Sequence, residues 1–264
     1  MHNITTIDLN TTLPITPDQT LITTGTIARN TANTWQPQRS QREKFNDTQV
    51  GKLAEEALAC YLAKSNIAYR SWDDVRTDNF QQHAPLDGFI ARANATHILH
   101  HPRFTAAAND AQQQTHFDLS FVEKCEQHGL YGVEVKSTRI SPRHRNSEGK
   151  VDVERILNDD FLLYPKIRYG QLTTTLRQTL LMPENLTMTA QRTPFFLIRI
   201  YLEQLSETTY RAYLMGYLTR KQFFISPRLT VKSMPRRGKS ERAIYYAVPL
   251  RAGRPVKDLQ EFVQ

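Results

Sequence analysis

Cysteine is scarce: Cys60 and Cys125 are the only two in 264 residues, far apart and without a C-x-x-C spacing. That argues against a disulfide-stapled scaffold and a zinc knuckle, and it suits a reducing compartment. Long hydrophobic runs are missing as well. The most apolar stretch, Phe195-Phe196-Leu197-Ile198-Arg199-Ile200-Tyr201-Leu202, is short and broken by an arginine, well below the roughly 20 residues of a membrane helix. The N-terminus has no charged-then-apolar pattern of an export signal. There is no internal repeat and no His-Glu-x-x-His signature. The histidines His83, His97, His100, His101 and His116 lack a partnering cysteine pair, so they read as loop or groove residues and not as a zinc site. Acidic residues are the minority, 26 against 34 Lys+Arg, leaving a formal charge of +8. That balance suits a polyanionic partner without proving one.

What is present is enough for a folded core, since 39% of residues are hydrophobic. Residues 1–45 are rich in Thr, Asn, Gln and Pro and read as an irregular arm or short edge strands. From Gln49 to Leu62, Val50, Leu53, Ala54, Ala57, Leu58 and Tyr61 recur at steps of three and four, which predicts an amphipathic helix. Ile67–Trp72 reads as a strand, and Pro85-Leu86-Asp87-Gly88 is a turn signal leading into another. The segment from Ala91 to Thr115 has no clear period. Phe117–Val122 and Leu130–Thr138 both alternate and are separated by a polar connection ending at Gly129, which predicts two antiparallel strands of a hairpin. Arg139–Lys150 reads as a loop, Gln171–Met182 as a helix, and Phe195–Leu202 and Tyr210–Tyr217 as strands. The adjacent acids Asp73, Asp74, Asp159 and Asp160 read as surface or cap residues. This order of elements predicts an α/β (α+β) fold, a mixed sheet flanked by helices.

The chemistry concentrates in Gly132-Val133-Glu134-Val135-Lys136-Ser137-Thr138. Period-two geometry projects Glu134 and Lys136 from one face of a strand while Val133 and Val135 pack on the other. A carboxylate binds a hard divalent cation through oxygen. An adjacent ammonium can stabilise charge on a phosphoryl group, or take a proton from water if its surroundings lower its pKa. An isolated Glu-x-Lys on a strand is more often a solvated ion pair. Here it has flanking valines, an upstream helix carrying Glu55 beside Glu56, and two aspartates able to complete it. Asp118 opens the preceding strand of the expected hairpin and is favoured on spacing. Asp87 follows Pro85-Leu86 and is the alternative, requiring an insertion between the strands.

With those residues the chain resembles the PD-(D/E)xK nuclease superfamily, over roughly Gln49–Thr138 and more loosely to Tyr217. The resemblance implies a restriction-endonuclease-like fold, with the nuclease core at residues 46–225 and a basic C-terminal segment, 226–264, packed on the same domain. It implies a Mg²⁺-dependent endodeoxyribonuclease, with Mn²⁺ able to substitute, of the type II restriction kind on double-stranded DNA. A homodimer in the cytoplasm, of a prokaryotic cell or encoded by a phage, goes with it. A structure-selective repair nuclease is one alternative, and a non-catalytic nucleic-acid-binding or phage structural protein is another. The implied catalytic residues are Asp118 (or Asp87), Glu134, Lys136 and Glu55, with metal held by Asp118 or Asp87, Glu134, Glu55 and the Val135 carbonyl. DNA contacts are expected from Arg139, Arg143, His144, Arg145 and Lys150 after the catalytic strand, and from the late cluster Arg236, Arg237 and Lys239.

Overall fold

The computed structural model describes residues 4–9, 40–80, 82, 84–113, 119–165, 172–235 and 242–264. Among them, a mixed six-stranded sheet runs in the order β1-β7-β6-β4-β3-β2 and a smaller antiparallel sheet in the order β5-β9-β8. The strands are β1 (Thr5–Asp8), β2 (Tyr69–Ser71), β3 (Gly88–Ala91), β4 (Leu130–Arg139), β5 (Asp160–Leu163), β6 (Phe196–Gln204), β7 (Tyr210–Thr219), β8 (Thr230–Pro235) and β9 (Arg242–Pro249). The helices are α1 (Gln41–Lys64), α2 (Thr96–Leu99), α3 (Pro102–Gln113), α4 (Leu119–Gln127), α5 (Val153–Ile156), α6 (Thr174–Leu180), α7 (Pro183–Gln191), α8 (Arg220–Phe224) and α9 (Leu259–Val263). No helix among the described residues is long and apolar enough to cross a membrane.

The expected first helix is α1, begun eight residues early. Its apolar stripe is buried, with Ala54, Ala57, Leu58 and Leu62 at 0% exposure. The stripe packs on one face of the large sheet against Val133, Ile198, Ile200 and Leu202. Each such leucine contributes about 1.5–3 kcal/mol by leaving water. The alanines let the helix come close to the strands. The chain leaves α1 through Asn66 in the left-handed region, φ 54°, a conformation asparagine tolerates.

The central strand β6 runs parallel to β4 and antiparallel to β7. It is buried along nearly its whole length, as a strand covered on both faces must be, which explains its unbroken apolar run. The face opposite α1 carries two further clusters. One joins Leu197, Tyr201, Tyr213 and Met215 to the small sheet through Phe161, Val231, Tyr246 and Val248. The other joins Phe89, Ala91 and Leu130 to Leu99, Phe104 and Phe121 of the helices after β3. The row Glu134, Lys136 lies between these two clusters on that same face. The segment after residue 225 therefore supplies two strands of the small sheet, and Val256, Leu259 and Val263 enter the α1 core.

The hairpin expected from Phe117–Val122 and Leu130–Thr138 does not form. Leu119–Gln127 is helix α4: Phe121, Val122 and Cys125 are buried while Glu123 and Lys124 are exposed, a helical spacing that a six-residue window cannot separate from alternation. The antiparallel neighbour of β4 is β3, with Gly88 opposite Val133 and Ala91 opposite Leu130. The region without a clear period, from Ala91 onward, is the helical insertion between these strands. Arg220 anchors α4 to the end of β7 through two bonds to the Glu126 carboxylate, at 3.0 and 2.8 Å.

Candidate active site

The site forms where β3 stops and the edge of β4 runs on without it. Asp87 directly precedes β3. Its N–H donates to Val133 O at 2.8 Å, and its carbonyl accepts from Trp72 N–H at 3.0 Å and from the Tyr69 hydroxyl at 3.1 Å. The main chain at Asp87 is thus held from both sides. Continuing the Gly88–Val133 register by one step sets Asp87 opposite Glu134. In an antiparallel ladder a residue directs its N–H and C=O to the same side, so Val135, like Val133, points its polar groups towards β3. Past the end of β3 the Val135 N–H has no strand to meet, and Asp87 Oδ2 accepts it at 2.6 Å. The Val135 carbonyl opens to the same gap.

Two carboxylates facing one another in a strand pair repel. Burial pushes the Asp87 carboxyl well above its usual range, and Glu134 and Glu55 push it further, against the pull of Lys136 and the Val135 N–H. Lys136 Nζ forms an ion pair with Glu134 Oε1. Burial alone would lower the lysine, but Glu134 and Asp87 overcome it and hold the ammonium above its ordinary value. These neighbours favour the ammonium form of Lys136.

Glu55 comes from α1 and bonds to Lys52 Nζ at 2.5 Å. That ammonium also meets Asp73 Oδ2 at 2.5 Å. Burial raises the Glu55 carboxyl, Lys52 opposes it, and Asp73 and Glu56 add to the rise, leaving it at about 7. Asp73, expected as a surface or cap residue, is thus part of the α1 charge network. Glu55 is near enough to act on Asp87, but its oxygen is committed to Lys52.

Asp118, favoured on spacing, lies outside the described residues, and the strand it was to open is α4. Asp87 takes the place facing Glu134. No group of three or more His, Cys, Asp or Glu side chains arranged to hold a metal stands among the described residues. The donor set nevertheless suits a hard cation. It consists of oxygen only, from Asp87, Glu134 and the Val135 carbonyl, with negative charge crowded enough to disfavour ionising Asp87.

The expected DNA contacts divide. His144 is buried at 1% exposure. Its Nδ1 accepts the Ser141 N–H at 3.1 Å, its Nε2 lies 3.1 Å from Asp159, and its ring meets Tyr201 edge to face. It closes a turn and cannot reach DNA as placed. Arg139 turns to the α1 face and donates to Asn46 O at 2.9 Å. Arg145 pairs with Glu203 at 2.9 Å. Arg143 and Lys150 remain outward, at 63% and 76% side-chain exposure. Arg236, Arg237 and Lys239 lie outside the described residues, as do His83 and His116. His101 Nδ1 accepts the Arg103 N–H at 3.1 Å at the start of α3.

Two residues given no functional role from the sequence enter the picture. Asp159, read there as a surface or cap acid, gathers Arg143, His144 and the Tyr201 hydroxyl, the last at 2.6 Å. Arg199 lies on β6 in register with Lys136. Its sequence signal was an arginine inside an apolar strand. No family model, curated protein or solved structure matches the chain.

Proposed function

We propose that the protein is a divalent-metal-dependent endodeoxyribonuclease of the PD-(D/E)xK type, with Mg²⁺ as its cofactor and Mn²⁺ as a substitute. The observation that carries this reading is the meeting of Asp87 with Glu134 at an open strand edge, Lys136 standing beside them on the same face. The order α1, β2, β3, then β4 after the helical insertion α2–α4, with β6 parallel to β4, also fits a restriction-endonuclease-like core.

When bound, Mg²⁺ polarises a phosphoryl oxygen and supplies an activated water. Asp87, Glu134 and the Val135 carbonyl would hold it, each carboxylate having one oxygen already committed to the protein. Lys136, kept as an ammonium, neutralises charge that develops on the phosphoryl oxygens. The net charge of +8 draws the polyanion in.

The substrate is proposed to be double-stranded DNA, cut in the manner of a type II restriction enzyme by a homodimer. A supercoiled plasmid incubated with Mg²⁺, beside Lys136→Ala and Asp87→Asn, tests this. Discrete fragments from the intact chain and none from the variants are expected. Cutting only of branched or damaged DNA would move the assignment to repair, and binding without cutting would leave a non-catalytic DNA-binding protein.

A further inference from the structure

Arg199 is a buried guanidinium, 7% exposed, in the middle of the central strand. Its Nη2 donates to Thr138 Oγ1 at 2.6 Å and lies 3.4 Å from the Tyr201 hydroxyl, and its Cζ sits 5.0 Å from the Tyr201 ring centre. Its Nε is buried with no hydrogen-bond partner. No carboxylate forms an ion pair with it among the described residues. Removing such a charge from water costs several kcal/mol unless it is paired, and the neutral hydroxyls of Thr138 and Tyr201 do not pair it.

Its position explains what the charge is for. Register across the parallel pair puts Arg199 beside Lys136, and Thr138 follows Lys136 on the same face. Two cations therefore stand side by side on the face that carries Glu134. The ladder with β7 slips between Arg199 and Ile200, with Gly216 opposite Arg199.

We propose that Arg199 is an anion-binding residue of this face, taking a non-bridging oxygen of a phosphoryl group laid over Lys136. The anion site follows from Arg199 and its surroundings; that the phosphoryl group is a DNA phosphodiester rests on the nuclease reading. Thr138 holds Nη2 and so fixes the plane of the guanidinium, whose planar set of donors offers an oxyanion a geometry that lysine does not.

Thermal unfolding in inorganic phosphate, against chloride at equal ionic strength, tests the site without reference to cleavage. Phosphate is expected to raise the midpoint of the wild-type chain and not that of Arg199→Gln. Arg199→Lys, which keeps a charge in the sheet, is expected to bind phosphate roughly tenfold more weakly. If Arg199→Gln does not fold, the lysine variant decides, and wild-type affinity there overturns the proposal. So does a wild-type chain indifferent to phosphate, or a folded glutamine variant stabilised like the parent. Plasmid cleavage run in parallel separates the two readings. A chain that cuts no DNA yet loses phosphate protection in Arg199→Gln keeps the anion site and loses the nuclease. A chain that cuts DNA while phosphate protection survives in Arg199→Gln does the reverse.

Discussion

The Val135 N–H donates to Asp87 Oδ2 at 2.6 Å, so a side chain does for β4 what β3 would have done had it been longer. The bond positions a carboxylate where a cation would be held, against its own electrostatics. Asp87→Asn keeps an acceptor for Val135 and removes the charge. DNA cleavage is expected to fall by at least about 100-fold, the scale of losing one well-placed charged group in an active site. Stability should move the other way. Because the folded state raises the Asp87 pKa, its contribution is fully present below the ordinary carboxylate range and is lost as pH rises through the folded value. Urea unfolding across pH should therefore show Asp87→Asn gaining on the parent as pH increases. A variant less stable than the parent at neutral pH would make Asp87 a structural cap.

Glu55 gives the second expectation. Burial, resisted by Lys52, leaves its carboxyl at about 7, and a cation binds the ionised form. Mg²⁺ affinity, measured by calorimetry, should rise with pH through about 7 as Glu55 ionises, and again at higher pH as the raised Asp87 carboxyl ionises. Glu55→Gln should lose the rise near 7 and bind Mg²⁺ more weakly at pH 8. If both proteins show the same pH profile, Glu55 belongs to the Lys52 and Asp73 network alone.

Much of this site could be read from the chain because its signals are local. Glu134 and Lys136 share a strand face by alternation alone, and the spacing of Val50, Leu53, Ala54, Ala57 and Leu58 showed that Glu55 rides on a helix. The identity of the facing aspartate was not local. It depends on whether Phe117–Val122 is a strand or a helical turn, and the helical spacing of Phe121, Val122 and Cys125 shows only when the window extends to Cys125. Burial of His144 and pairing of Arg145 are tertiary facts, set by Asp159 and Glu203. In the sequence both residues look like ordinary members of a basic loop. Arg199 was visible as an arginine in an apolar strand, but its meaning required the β4–β6 register.

The charge on Lys136 makes a kinetic prediction. Glu134 and Asp87 hold the ammonium above its ordinary value, so the rate should show no ionisation of this group between pH 7 and pH 9.5, where a lysine lowered from its ordinary value of about 10.4 would titrate. Lys136→Ala should lower kcat by about 100-fold or more while Mg²⁺ binds as tightly as before or tighter, because Glu134 loses a competing cation. Weaker Mg²⁺ binding in the variant would show that Lys136 orders the carboxylates and would undo its assignment to charge stabilisation.

His144 separates structure from recognition. Burial lowers its pKa against the pull of Asp159, with Arg143 and Arg199 adding to the fall. Its contribution to stability is therefore present above the ordinary histidine value and is lost as pH drops through the folded value. His144→Ala should cost about 1–3 kcal/mol, the range for leaving buried partners unsatisfied, and that cost should shrink in acid. DNA affinity, measured on folded protein at fixed salt, should change less than in Arg143→Ala. The reverse order would return His144 to the DNA surface.

Gly216 and Gly149 distinguish backbone strain from steric contact. Both have φ in the left-handed half of the map, at 143° and 77°. A Cβ on Gly149 meets nothing within 4 Å, whereas one on Gly216 would lie 2.7 Å from the Arg254 carbonyl oxygen. The carbonyl cannot yield cheaply, because it accepts the Tyr217 N–H at 2.9 Å while Arg254 N–H donates back to Tyr217 O at 2.8 Å. Gly149→Ala should cost about 1–2 kcal/mol, the conformational penalty alone. Gly216→Ala should cost about 2–4 kcal/mol, because the clash adds to that penalty. Gly216 also faces Arg199 where the ladder slips, so the displacement should reach the guanidinium and weaken phosphate protection, which Gly149→Ala leaves intact. Equal losses of stability in the two variants, by chemical denaturation, would show that the Arg254 contact relaxes and that the bulge is not rigidly held.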